Sequence, residues 1–150
     1  MRVEQALKAM GLELPAANAY NGDYIRPVLH AGQLHMPGHS GWRLHQLRGK
    51  LGRDLSIEQG FEAARYAILA CLAAAKRELG DLDRIERVVK VTGFLNAIEG
   101  FADGGKVLNG ASDVLYRVWG ERGQHARSAI GVTTLNDNWP LEIEVTFAIK

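Results

Sequence analysis

The run Leu141-Glu142-Ile143-Glu144-Val145-Thr146-Phe147-Ala148-Ile149 alternates with a period of two. Its odd positions are apolar, and its even positions carry Glu, Glu, Thr and Ala. That pattern specifies a strand with one face on a core and Glu142 and Glu144 on the other. Such a strand needs a sheet beside it and a layer above it, and the rest of the chain supplies both. Ser56-Ile57-Glu58-Gln59 forms a capping box: Ser56 can accept from the amide of Gln59, whose side chain can reach back. A helix then runs from about Ile57 to Leu79, and Gly80 supplies the stop. Phe61, Ala64, Ile68, Leu72, Ala75 and Leu79 make its apolar face, small enough to lie close on a sheet. A second helix covers roughly Lys106 to Trp119, with Val107, Ala111, Val114, Leu115 and Val118 facing inward and Gly120 at its end. Further strands are expected at Arg87–Leu95, rich in β-branched residues, and at Ser128–Thr134. Two short ones flank Ala31-Gly32-Gln33, at Tyr24–Leu29 and Leu34–Met36, and Pro27 suits an edge. A short helix at about Val3–Met10 lies in an N-terminal extension over residues 1–20.

The order is ββαβαββ, an α+β unit. Two long helices cannot cover both faces of such a sheet, so they share one, and a homo-oligomer is the economical cover for the other. The 150 residues, 47% of them hydrophobic, are enough for one domain with a real core. The formal net charge of +1, without a basic stripe studded with aromatics, argues against a chain that coats nucleic acid. Cys71 has no second cysteine to pair with, which suits a reducing cytoplasm. No apolar run is long enough to span a membrane.

Several motifs compete for chemistry. Gly100-Phe101-Ala102-Asp103-Gly104-Gly105-Lys106-Val107 nearly spells a phosphate-binding loop, but Val107 stands where a Mg²⁺-holding hydroxyl is needed, so an ordinary loop opening a helix is the better reading. His30, His35, His39 and His45 lie close in sequence without the helical spacing, cysteine or carboxylate that completes a metal set, so loop or interface histidines are the better reading than a metal site. Cys71 sits among alanines with no activating base, which gives it a packing role. Arg127 and Glu142 are the informative pair. Each opens a strand, and a hairpin at Leu135–Pro140 would bring them together. Arginine offers a planar fork for a carboxylate, and a glutamate beside it can activate water. A structural salt bridge is the plainer alternative.

The segments His125-Ala126-Arg127-Ser128-Ala129-Ile130-Gly131-Val132 and Asn138-Trp139-Pro140-Leu141-Glu142-Ile143-Glu144 resemble the closing signature of the RidA (YjgF, L-PSP) family. Val88-Val89-Lys90-Val91-Thr92-Gly93-Phe94-Leu95-Asn96 resembles its central strand, and Lys106-Val107-Leu108-Asn109-Gly110-Ala111-Ser112-Asp113 looks like a divergent branch. The resemblance implies a chorismate-mutase-like ββαβαββ fold, a homotrimer with ligand clefts between subunits, and no cofactor. It also implies hydrolysis of 2-enamino and 2-imino acids to 2-keto acids and ammonia. By the same resemblance Arg127 anchors the substrate carboxylate, Glu142 directs water, and Tyr24, His39 and Ala129 line the cleft. Pro37 and Ala129 depart from the family's usual serine and cysteine. A small-carboxylate-binding trimer without catalysis, and the endoribonuclease activity of the L-PSP name, are the alternative functions.

Overall fold

The structure is a computed structural model that describes residues 2–17 and 26–150. Tyr24 lies outside the described residues. In chain order the elements are α1 (Arg2–Ala9), β1 (Val28–His30), β2 (Gln33–His35), α2 (Trp42–His45), α3 (Ile57–Leu79), β3 (Ile85–Asn96), α4 (Gly104–Trp119), β4 (Ala126–Val132) and β5 (Leu141–Ile149).

The local signals act where the sequence puts them. Ser56 accepts from the amide of Gln59 while the Gln59 side chain accepts from the Ser56 amide, and Gly80 closes α3 in a left-handed conformation. Ala63, Ala64, Ala67, Ile68, Leu72 and Ala75 of α3 are fully buried. The small side chains let α4 come close. At Gly110 an added Cβ would stand 2.0 Å from the carbonyl oxygen of Phe61, so only glycine permits this approach of the two helices. Helix α1 adds Val3 and Leu7 to the same core. Its first turn is capped from across the chain, because Asp83 accepts from the amides of Arg2 and Val3.

The five strands order as β1-β2-β5-β3-β4, so β5 sits in the middle. Pairing is antiparallel except between β3 and β4, which run parallel and are joined through α4. The expected β4–β5 hairpin does not form. A helical crossover returns β4 to the far side of β3, and the segment 133–140 then steps over the end of β3 to reach β5. There the amide of Asn96 donates to the carbonyl of Pro140.

The helices cover one face, as the alternation in β5 predicts. Leu141, Ile143, Val145 and Phe147 are buried against them. On the other face the row Ile130–Phe94–Glu142 runs beside Ser128–Thr92–Glu144. Val28 and Ile130 stand 58% and 45% exposed, so apolar surface is left uncovered.

Candidate functional site

Arg127 enters from the edge strand β4 in register with Val91 and Val145, which puts its side chain on the helix face. There α4 receives it. Nη1 donates to Asn109 Oδ1 at 2.8 Å and to Ser112 Oγ at 3.1 Å, and Nη2 donates to the carbonyl of Gly105 at 3.4 Å. All three partners are neutral, and among the described residues no carboxylate lies within ion-pair reach. The guanidinium is exposed at the edge. Among the described residues no acceptor takes two of its five N–H groups, Nε–H and one on Nη2, which can serve a ligand. Ala129, two residues on, points to the same face and is exposed.

Ser112 also lies 3.0 Å from His125 Nε2, and His125 Nδ1 lies 2.6 Å from the carbonyl of Gly123. The imidazole stacks on Tyr116, with ring centroids 5.3 Å apart. Burial, outweighing that hydrogen bond and aided by the Arg127 charge, lowers its affinity for a proton.

Glu142 faces the other way, in register with Phe94 on the uncovered face. Burial, and then the charge of Glu144, raise its carboxyl pKa from the ordinary value. Among the described residues no cation pairs with it. The β2 extension bulges beside it. Met36 bonds to Val145 and His39 to Ile143, so three steps on one strand face two on the other. The bulge brings Gly38 over the carboxylate, where an added Cβ would stand 2.9 Å from Glu142 Oε2. His39 itself pairs with buried Ile143 and is held by a 2.7 Å contact from Nδ1 to the carbonyl of Pro37.

Arg127 and Glu142 therefore belong to opposite faces of one sheet. Two strand spacings and three residues along the strand also separate their backbones by about 14 Å. The chain alone does not join them at one small ligand.

The remaining candidates have structural roles. His45 accepts from the amide of Leu47 at Nδ1, which leaves Nε2–H to donate to the carbonyl of Ser40. Cys71 is fully buried, and burial raises its thiol pKa. Among the described residues no three metal-ligating side chains converge, and no helix is long and apolar enough to cross a membrane. The phosphate-loop look-alike lines a cleft of about 650 Å³ with Asp54, Glu99 and Asp103. Its arginine, Arg53, is already paired with Asp54, so the lining is unsuited to an anion.

Asn109, Ser112 and Gly105 are the site residues that single-residue reasoning misses. The signal for Ser112 was available: it falls in the row Leu108–Ser112–Leu115–Trp119, and a hydroxyl on an apolar helix stripe needs a partner.

A family model described as "YjgF/chorismate mutase-like, putative endoribonuclease" matches residues 4–142. The chain is 37% identical to Protein TCP17 of Trypanosoma cruzi over 150 residues, covering 95% of this chain and 91% of that protein. The crystal structure of a protein of unknown function from Agrobacterium tumefaciens superposes with a TM-score of 0.91 at 32% identity, over 99% of this chain and 93% of that one. RidA from an Antarctic Psychrobacter superposes with a TM-score of 0.58 at 24% identity, over 89% of this chain and 94% of that one, a likeness of fold.

Proposed function

The chain belongs to the YjgF/chorismate-mutase-like family, on a branch divergent from RidA, and from that premise we propose that it is a hydrolytic deaminase of small 2-imino and 2-enamino acids. The observation that carries the reading is Arg127: a guanidinium fixed by three neutral acceptors, with no acidic partner among the described residues and with a free fork at an open strand edge. A small carboxylate complements that fork in charge and shape.

An imine carbon is already electrophilic. Water adds to C=N as a base takes one of its protons, and the resulting carbinolamine expels ammonia to leave the 2-keto acid. Glu142 is the proposed base. A carboxylate whose pKa is raised by burial is a better proton acceptor at neutral pH than an exposed one. Holding carboxylate and water in place can supply several kcal/mol, up to about 7–11 in ideal cases. Because Arg127 and Glu142 lie on opposite faces, this mechanism requires a second copy to bring its Glu142 face to the β4 edge of the first. The trimer of the proposal, with clefts between subunits to which His39 and Ala129 also contribute, meets that need.

The same separation favours a second reading, a carboxylate-binding protein without catalysis, if assembly leaves Glu142 away from Arg127. One experiment decides. Freshly generated 2-iminobutanoate is offered to the wild-type protein and to Arg127→Ala and Arg127→Lys, with 2-keto acid trapped as its semicarbazone and pyruvate affinity measured by calorimetry. Deamination and binding that both vanish in the alanine variant and partly survive in the lysine one support the enzyme. Arginine-dependent binding without wild-type turnover supports the binder. Unchanged pyruvate affinity in Arg127→Ala overturns both.

A further inference from the structure

We infer that Ser112 and His125 are positioning residues that fix the orientation of the Arg127 guanidinium through a directed chain of hydrogen bonds running back to the carbonyl of Gly123. The inference rests on the reading of Arg127 as the carboxylate anchor.

The direction of the chain follows from which atoms can donate. The Gly123 carbonyl can only accept, so His125 Nδ1, 2.6 Å away, carries the proton. In a neutral ring Nε2 is then a bare acceptor. Ser112 Oγ lies 3.0 Å from it and supplies the proton. With its one hydrogen committed, Ser112 presents a lone pair to Arg127 Nη1 at 3.1 Å. Each link fixes the next, and an arginine, which can only donate, fits the open end. A ring with the proton on Nε2 would leave Nδ1 facing the Gly123 carbonyl, acceptor against acceptor.

The surroundings hold the chain still. Ser112 is 1% exposed, in the middle of α4, where its hydroxyl has no access to water. Tyr116, one turn further along α4, stacks on the imidazole. The Gly123 turn is seated on the same helix, since a Cβ there would stand 2.2 Å from the carbonyl oxygen of Leu115. Asn109 takes the other hydrogen of Nη1, so the two acceptors from one helix fix the plane of the guanidinium. The edge carrying Nε–H is thereby presented at the open side of β4. A flexible arginine would still attract an anion, but it would lose alignment. The relay is therefore a determinant of ligand affinity and of how strictly the site prefers planar carboxylates.

The test uses the whole protein and three variants. In His125→Leu the Ser112 hydroxyl loses its acceptor. The variant should bind pyruvate about ten-fold more weakly, with KM for the imino acid raised to match and kcat changed much less. His125→Gln keeps a carbonyl oxygen near the Nε2 position and should recover most of that loss. Arg127→Ala calibrates full loss. If pyruvate binds the wild type, fails to bind Arg127→Ala, and binds His125→Leu normally, the relay is wrong while the anchor stands. If Arg127→Ala binds like wild type, the anchor itself has failed. A leucine variant that does not fold leaves nitrogen-15 spectroscopy of the wild-type imidazole as the deciding measurement: protonation at Nδ1 is required, and protonation at Nε2 overturns the proposal.

Discussion

Glu142 and Arg127 differ in how their charges are met. Arg127 is held by neutral acceptors, whereas Glu142 sits half-buried beside a like charge with Gly38 closed over it. A folded-state pKa above the unfolded value means the fold holds that proton more tightly than the open chain does. The associated stability is fully present below the unfolded glutamate pKa and is lost as pH rises through the folded one. Glu142→Gln should therefore melt at or above the wild-type temperature at pH 7 and match it near pH 4, as followed by circular dichroism. Its deaminase rate should fall about 10²–10⁴-fold, since an amide cannot accept the proton. A lower melting temperature at pH 7 would identify Glu142 as half of an ion pair across a subunit boundary and remove it from catalysis. Both residues were legible in the sequence because each opens a strand of clear pattern. Their placement on opposite faces was not, because it depends on which strands pair.

At the scale of elements, helices were the more legible. The capping box at Ser56, the stop at Gly80 and the apolar rows of both helices depend on neighbours within a few residues, and the structure places α3 at the expected bounds. Strand partners depend on contacts far along the chain. The eight residues from Thr133 to Pro140 are short enough for a hairpin, yet they cross the end of β3. The alternation of β5 is the same whichever strand lies beside it. The approach of α3 and α4 at Gly110 was also hidden, because a mid-helix glycine reads as a weakness. Its worth is testable. Alanine there gains up to about 1 kcal/mol in helix propensity. Against that, a Cβ 2.0 Å from the Phe61 oxygen forces the helices apart, at about 1–3 kcal/mol or more. The packing term wins, so Gly110→Ala should unfold at lower urea concentration than the wild type. An unchanged midpoint would mean that the helices slide freely at this crossing.

For the whole molecule, the separation of Arg127 from Glu142 becomes a statement about assembly. If each site takes its arginine from one chain and its glutamate from the next, two inactive variants should rescue each other. Arg127→Ala and Glu142→Gln, unfolded together and refolded as a mixture, should regain activity, with roughly a quarter of the sites intact in a randomly mixed ring. A mixture as inactive as its parts would place both groups in one chain or outside catalysis. Light scattering of the wild type at micromolar concentration should show the trimer, and a stable monomer would remove the shared cleft. The uncovered sheet face was legible from the two helices that share the opposite one, but the placement of the two groups on either side of the sheet was not. The central position of β5 carries one more consequence. Synthesis runs from the N-terminus, so the strand that joins β2 to β3 is the last of the described elements to leave the ribosome. Until it emerges, the nascent chain presents two unpaired strand edges with an empty slot between them, an invitation to pair with the same edges on neighbouring chains. The interval before β5 inserts is thus the period of greatest exposure to aggregation, and a holding chaperone at the ribosome would act there, however stable the finished protein is.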